Sequence, residues 1–63
     1  MTYTENEYIK AGARYEAAAT TDATRARAEL LRRMLSRESI DDQPECRRLI
    51  EQGRAEARQG VAV

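Results

Sequence analysis

The stretch 23–35, ATRARAELLRRML, sets four large apolar residues, Leu30, Leu31, Met34 and Leu35, at the spacing of one helical face. Nowhere else in the sequence is apolar bulk so dense, so the rest of the chain is expected to pack against this helix. With 63 residues there is room for one domain at most. A domain that small buries a modest share of its surface and is marginal without help. The remaining large apolar side chains are Tyr3, Tyr8, Ile9, Tyr15, Ile40, Leu49 and Ile50, with two valines at the tail and no Trp or Phe. Alanine supplies most of the other apolar content; it favours helix but buries little area. The expectation is a thin core completed by oligomerisation or by a partner.

Three helices can be placed from their ends. Thr4-Glu5-Asn6-Glu7 has the form of a capping box, and Tyr3 and Tyr8 flank it at the spacing of a hydrophobic staple. The first helix is expected over residues 5–19, with Tyr8, Ala11, Gly12, Tyr15, Ala18 and Ala19 on its apolar face. Gly12 costs about 1 kcal/mol of helix propensity relative to Ala, which predicts close approach of another helix there. Thr20-Thr21-Asp22 breaks the pattern, with Thr21 or Asp22 as the cap of a second helix over 23–37. The break holds no Gly or Pro, so one bent helix is the alternative. Arg27 falls among the apolar residues of the second helix, where it can snorkel or pair with a carboxylate.

Asp42-Gln43-Pro44-Glu45 repeats the start signal, with Asp42 as cap and Pro44 in the first turn. It opens a third helix over 43–58 whose stripe is Cys46, Leu49, Ile50, Gly53 and Ala57. Ile40 is expected to fold under the preceding loop as a plug. Gly60 stops the helix, and 59–63 reads as a loose tail. The predicted architecture is all-α, a single small domain over 1–63. It is a helical hairpin over 23–58 with the first helix packed on it, or a three-helix bundle with short loops.

Chemistry is sparse. The chain has no His, and its lone Cys46 sits on an apolar stripe with no base at matching spacing. Such a cysteine reads as a small core residue. Asp41 and Asp42 read as loop and cap residues. The glycines are isolated at 12, 53 and 60, so no phosphate-cradling loop exists. No catalytic residue, metal ligand or cofactor site is expected, and the chain is not read as an enzyme. A single cysteine excludes an internal disulfide. No run is long enough to cross a membrane, and the polar, acidic start is unlike a signal peptide. The expected location is the cytoplasm.

Charge balances at 11 basic against 11 acidic side chains, and ten of the basic residues are Arg. A general nucleic-acid binder usually carries a basic excess. The alternative is a dimeric nucleic-acid-binding regulator that joins Arg32 and Arg33 of the second helix to Arg47 and Arg54 of the third. Glu29, Glu51 and Glu56 interleave with those arginines and weaken the field. A protein-interaction module fits the amphipathic helices and thin core better. Its predicted interface uses Tyr8, Gly12 and Tyr15, with Arg25, Arg32 and Arg33 as polar contacts, since tyrosine and arginine anchor interfaces. The partner is a protein, a second copy of the chain included.

Two local patterns resemble known families. Tyr8-x-x-Ala11-Gly12-x-x-Tyr15 resembles the first helix of a tetratricopeptide repeat, and a single such repeat cannot bury its own faces. Leu49-Ile50-Glu51-Gln52-Gly53, running on to Gly60, is similar to the toxin-wrapping tails of some small antitoxins. Neither assigns a site residue. By association, small chains without chemistry are typical of regulators, inhibitors and accessory subunits, such as phages and plasmids encode.

Overall fold

The computed structural model describes residues 1–60. Three helices make up the fold: α1 (Glu5–Ala17), α2 (Thr21–Ser36) and α3 (Gln43–Arg58). No strand occurs among the described residues. The valines and alanine at 61–63, part of the predicted loose tail, lie outside the described residues.

α1 begins where the sequence marks it. The Thr4 hydroxyl accepts from the Glu7 amide at 3.1 Å, and Tyr3 packs edge-on against Tyr8 with ring centroids 5.8 Å apart. The helix ends two residues earlier than expected, because Ala18 turns extended at ψ 129°. The break at 18–20 is therefore real. The cap of α2 is Thr20, one residue before the expected Thr21 or Asp22, and it accepts from the Ala23 amide at 3.0 Å. α3 has the predicted bounds and the predicted N-cap residue, but not the predicted capping bond. Asp42 is in helical geometry at φ −87° and ψ −20°, and its side chain makes no capping bond. Glu45, expected to complete the box, pairs with Arg48 instead.

Packing departs from expectation most at the centre. α1 lies mainly on α3, and α2 and α3 barely meet, so the hairpin over 23–58 is not the core unit. Gly12 rests against Ile50, and Glu16 reaches Arg54. Residue numbers rise together along the two helices, so α1 and α3 run in the same direction. The seam between them has a repeated pattern. Gly12 meets the backbone of Ile50, and Gly53 meets the backbone of Ile9, each glycine lying three residues after the isoleucine that the other helix's glycine touches. The close approach predicted at Gly12 is thus present, and the Gly53 of the third stripe is its counterpart. Absence of two Cβ atoms lets the backbones come together, which is what offsets the helix cost of the glycines.

Around this seam the core is Tyr8, Ala11, Cys46, Leu49 and Ile50, with Met34 contributed by α2. Of the four residues expected to organise the chain, only Met34 is buried; Leu31 and Leu35 are half-buried and Leu30 is 41% exposed. α2 covers one edge of a tight helix pair instead of filling the middle of a bundle. Ile40 is not a plug. It is 83% exposed, on a turn closed by the Asp42 and Gln43 amides donating to the Ser39 carbonyl. The buried side chain just before that turn is Glu38, whose carboxylate accepts from the Thr2 and Tyr3 amides and from the Tyr8 hydroxyl.

The far end of the α1–α3 seam is closed by charge. Arg54 donates to Glu16 at 2.9 Å and to Glu51 at 2.8 Å, and its guanidinium lies 5.0 Å above the Tyr15 ring. Arg58 adds a contact to Glu16 at 3.1 Å. The bond from Arg54, then the nearby charge of Arg58, holds the Glu16 carboxyl below its usual range despite partial burial. Replacing Arg54 with Ala is expected to cost about 1 kcal/mol in a urea melt, since one side chain carries both the stacking and the cross-helix ion pair. Arg54→Lys keeps the charge but loses the flat face, so it should fall between wild type and Ala. Equal stability of all three proteins would show that the cluster holds nothing together.

Candidate functional site

Two of the residues predicted to bind a partner are used inside the chain. Tyr8 is fully buried, and its hydroxyl donates to the Glu38 carboxylate and to the Met34 carbonyl. Burial, then the bond to Glu38, pushes that phenol well above its ordinary pKa. Gly12 is closed off by the Ile50 backbone. Tyr15 is half-buried under Arg54. Tyr8 and Gly12 are therefore enclosed within the fold, and Tyr15 keeps only part of its surface at the edge of the α1–α3 seam. The physical reason is the second glycine: Gly53 turns a small-residue patch into an intramolecular crossing.

The arginines are dispersed. Arg32 and Arg33 are exposed on α2, where both pair with Glu29, Arg33 at 3.5 Å. The bond from Arg32, first, keeps the Glu29 carboxyl below its usual range. Arg54 turns towards α1 and away from α2. Arg47 is exposed and forms no ion pair among the described residues. The basic stripe proposed for nucleic acid is thus not assembled within one chain: three of its four members are neutralised locally and point to different sides. Arg25 is exposed beside a shallow concavity lined by Ala18, Thr21, Thr24 and Ala28 at the α1–α2 connection.

What the fold leaves open is α2. This 16-residue helix buries a single side chain, Met34. Its apolar residues instead form the walls of two grooves. One, of about 320 Å³, lies between α2 and α3 over Leu31, Leu35 and Ile50, with Arg47 and Glu51 on its rim. The other, of about 190 Å³, lies between α1 and α2 over Tyr3, Ala11, Leu30 and Met34. Its α1 bank carries Glu7, Lys10 and Arg14 at i, i+3 and i+7, one stripe of a helix. Sequence reasoning placed Leu30 and Leu35 in the core and so missed both grooves. The signal that could have found them is the α1/α3 pair of Gly-centred stripes, which satisfy each other and leave α2 without a deep counterpart.

Cys46 is buried in the core, with its sulfur 3.5 Å from that of Met1. No group of three or more His, Cys, Asp or Glu side chains that could hold a metal gathers among the described residues. Within those residues no helix is long and apolar enough to cross a membrane. No family model matches this chain, no curated protein or solved structure matches it, and the two local sequence resemblances therefore gain no support from known proteins.

Proposed function

We propose that the chain is a non-enzymatic protein-interaction module, which acts as a regulator, inhibitor or accessory subunit by binding a protein partner along α2 and the grooves beside it. The observation that carries this reading is the imbalance of the fold. The α1–α3 seam is tight to the point of backbone contact, whereas α2 keeps Leu30 41% exposed and Leu31 and Leu35 only half-covered. In so small a chain, apolar area left out of the core is area whose burial a partner can still gain, at about 25 cal/mol per Å². An elongated apolar groove between two helices is the shape that receives a third helix.

The experiment uses Leu30→Asp. The side chain is exposed enough that the substitution should shift stability by about 0.5 kcal/mol or less. The wild-type chain, immobilised, should retain a defined protein from host extract, and Leu30→Asp should lose it while melting at the same temperature. Identical retained proteins for the two baits, or a Leu30→Asp variant that melts like a core mutant, would remove the basis of the reading.

A further inference from the structure

The groove between α1 and α2 has a charge character that its apolar floor does not explain. Lys10 and Arg14 stand on its α1 bank, both exposed, and neither forms an ion pair among the described residues. Arg27, one turn before Leu30 on α2, is exposed and likewise outside every ion pair. At the other end, Arg37 donates to the Tyr3 hydroxyl at 3.2 Å, and Tyr3 lines the groove. The lining itself holds two cations, Lys10 and Arg14, against one carboxylate, Glu7. Elsewhere on the surface the arginines Arg32, Arg33, Arg48, Arg54 and Arg58 each have a carboxylate in reach. Arg25 and Arg47 are likewise outside every ion pair among the described residues, but each stands alone at another concavity, whereas Lys10 and Arg14 line this groove together and Arg37 bonds its Tyr3 wall.

From this we infer that the α1–α2 groove docks an acidic amphipathic helix of another protein. The inference rests on the interaction-module reading above and names the chemistry of the partner. Leucine-sized side chains of the incoming helix would sit on Leu30, Ala11 and Tyr3. Carboxylates on its flanks would meet Lys10 and Arg14 on one side and Arg27 on the other. α1 and α2 run antiparallel here, since Tyr8 reaches Met34 while Arg14 shares the groove with Leu30. A second copy of the chain is a poor occupant, because a two-fold interface would set the same four cations against themselves. Nucleic acid would satisfy the cations but leave the apolar floor uncovered.

The test is fluorescence anisotropy with a labelled 18-residue helical peptide carrying Leu at i, i+3, i+4 and i+7 and Glu on the flanks, alongside its twin with Lys at each Glu. The wild-type chain should bind the acidic peptide at least tenfold more tightly than the basic one, with an affinity that falls as salt is added. Lys10→Glu/Arg14→Glu should reverse that preference, and Leu30→Asp should lose both peptides. Equal binding of the two peptides, or no binding of either, would overturn the inference. So would a molar mass in light scattering that doubles with concentration and reverts to monomer with Arg14→Glu, which would assign the face to a second copy. Displacement of the acidic peptide by a short DNA duplex at equal or better affinity would assign it to nucleic acid. If host protein capture depends on Leu30 but is unaffected by Lys10→Glu/Arg14→Glu, the interaction module stands and the acidic partner falls.

Discussion

Gly53→Ala and Gly12→Ala should each lower the melting temperature by roughly 10 °C or more, although each puts a better helix former into a helix interior. On propensity alone the change is worth about 1 kcal/mol in favour of Ala. The added methyl has nowhere to go. At Gly53 it would lie 3.0 Å from the Ala13 amide nitrogen and closer still to the Ile9 carbonyl; at Gly12, 3.0 Å from the Ile50 Cα and closer still to the Ile50 carbonyl. These neighbours are backbone, so relief requires α1 and α3 to move apart along the seam that holds Tyr8, Cys46, Leu49 and Ile50. Overpacking of a well-packed interior costs about 1–3 kcal/mol, and separating two main chains belongs at the upper end. For a domain of this length, each kcal/mol is about 4–8 °C in Tm. The two substitutions should also be less than additive, because the first opens the gap that the second needs. Thermal melts of the two single variants and the double variant decide the matter. A rise in Tm for either single variant would show that the seam is looser than the backbone contact implies.

The same seam explains what could and could not be read from the sequence. Helix ends were legible where a local side chain makes them: Thr4 and the Tyr3–Tyr8 pair fix the start of α1, and the threonines expected to break the chain supply Thr20 as the cap of α2, with the break itself at 18–20. The bounds of α3 follow from Pro44 and the stripe that begins at Cys46. The assignment of the core failed because it ranked helices by apolar bulk. Leu30, Leu31 and Leu35 are larger than anything on the apolar face of α1 between its tyrosines, yet the intimate contact belongs to glycines. A glycine signals how near a backbone may come, and which backbone comes near is a tertiary fact. Gly12 alone pointed to a crossing without naming α3; Gly12 and Gly53 considered as a matched pair would have named it. Leu30 and Ile40 then follow as residues left outside.

Glu38 was the least legible residue, since a carboxylate beside Ser39, Asp41 and Asp42 looks like part of a solvated loop. Its burial follows from Tyr8. A tyrosine drawn into the core by the seam brings a hydroxyl that needs an acceptor, and Glu38 supplies it while receiving the Thr2 amide at 2.8 and 2.9 Å and the Tyr3 amide at 3.3 Å. One carboxylate thus ties the segment before α1 to the end of α2. Glu38→Ala removes the acceptor of all these donors and is expected to be the most damaging polar substitution in the chain, with the Thr2 and Tyr3 amides losing protection from hydrogen exchange. Tyr8→Phe keeps the packing and removes one donor, at a cost of about 1–2 kcal/mol.

The pair also shapes stability at both ends of the pH scale. The bond from Tyr8, then the Thr2 and Tyr3 amides, holds the Glu38 carboxyl below its ordinary value of 4.5. The unfolded chain therefore takes up that proton first as pH falls, and the contribution of Glu38, complete above pH 4.5, is lost on descent through the lowered folded value. Tyr8 acts at the opposite end. Its phenol is raised above the ordinary 10.0, so above pH 10.0 the unfolded chain releases a proton that the folded chain retains, and stability falls. Glu38→Gln should flatten part of the acid limb and shrink the alkaline limb without abolishing it, since burial is the larger cause of the Tyr8 shift; Tyr8→Phe should flatten the alkaline limb. Urea midpoints measured from pH 3 to pH 11 separate the two. An alkaline limb unchanged in Tyr8→Phe would mean that this phenol titrates no differently in the folded and unfolded chain.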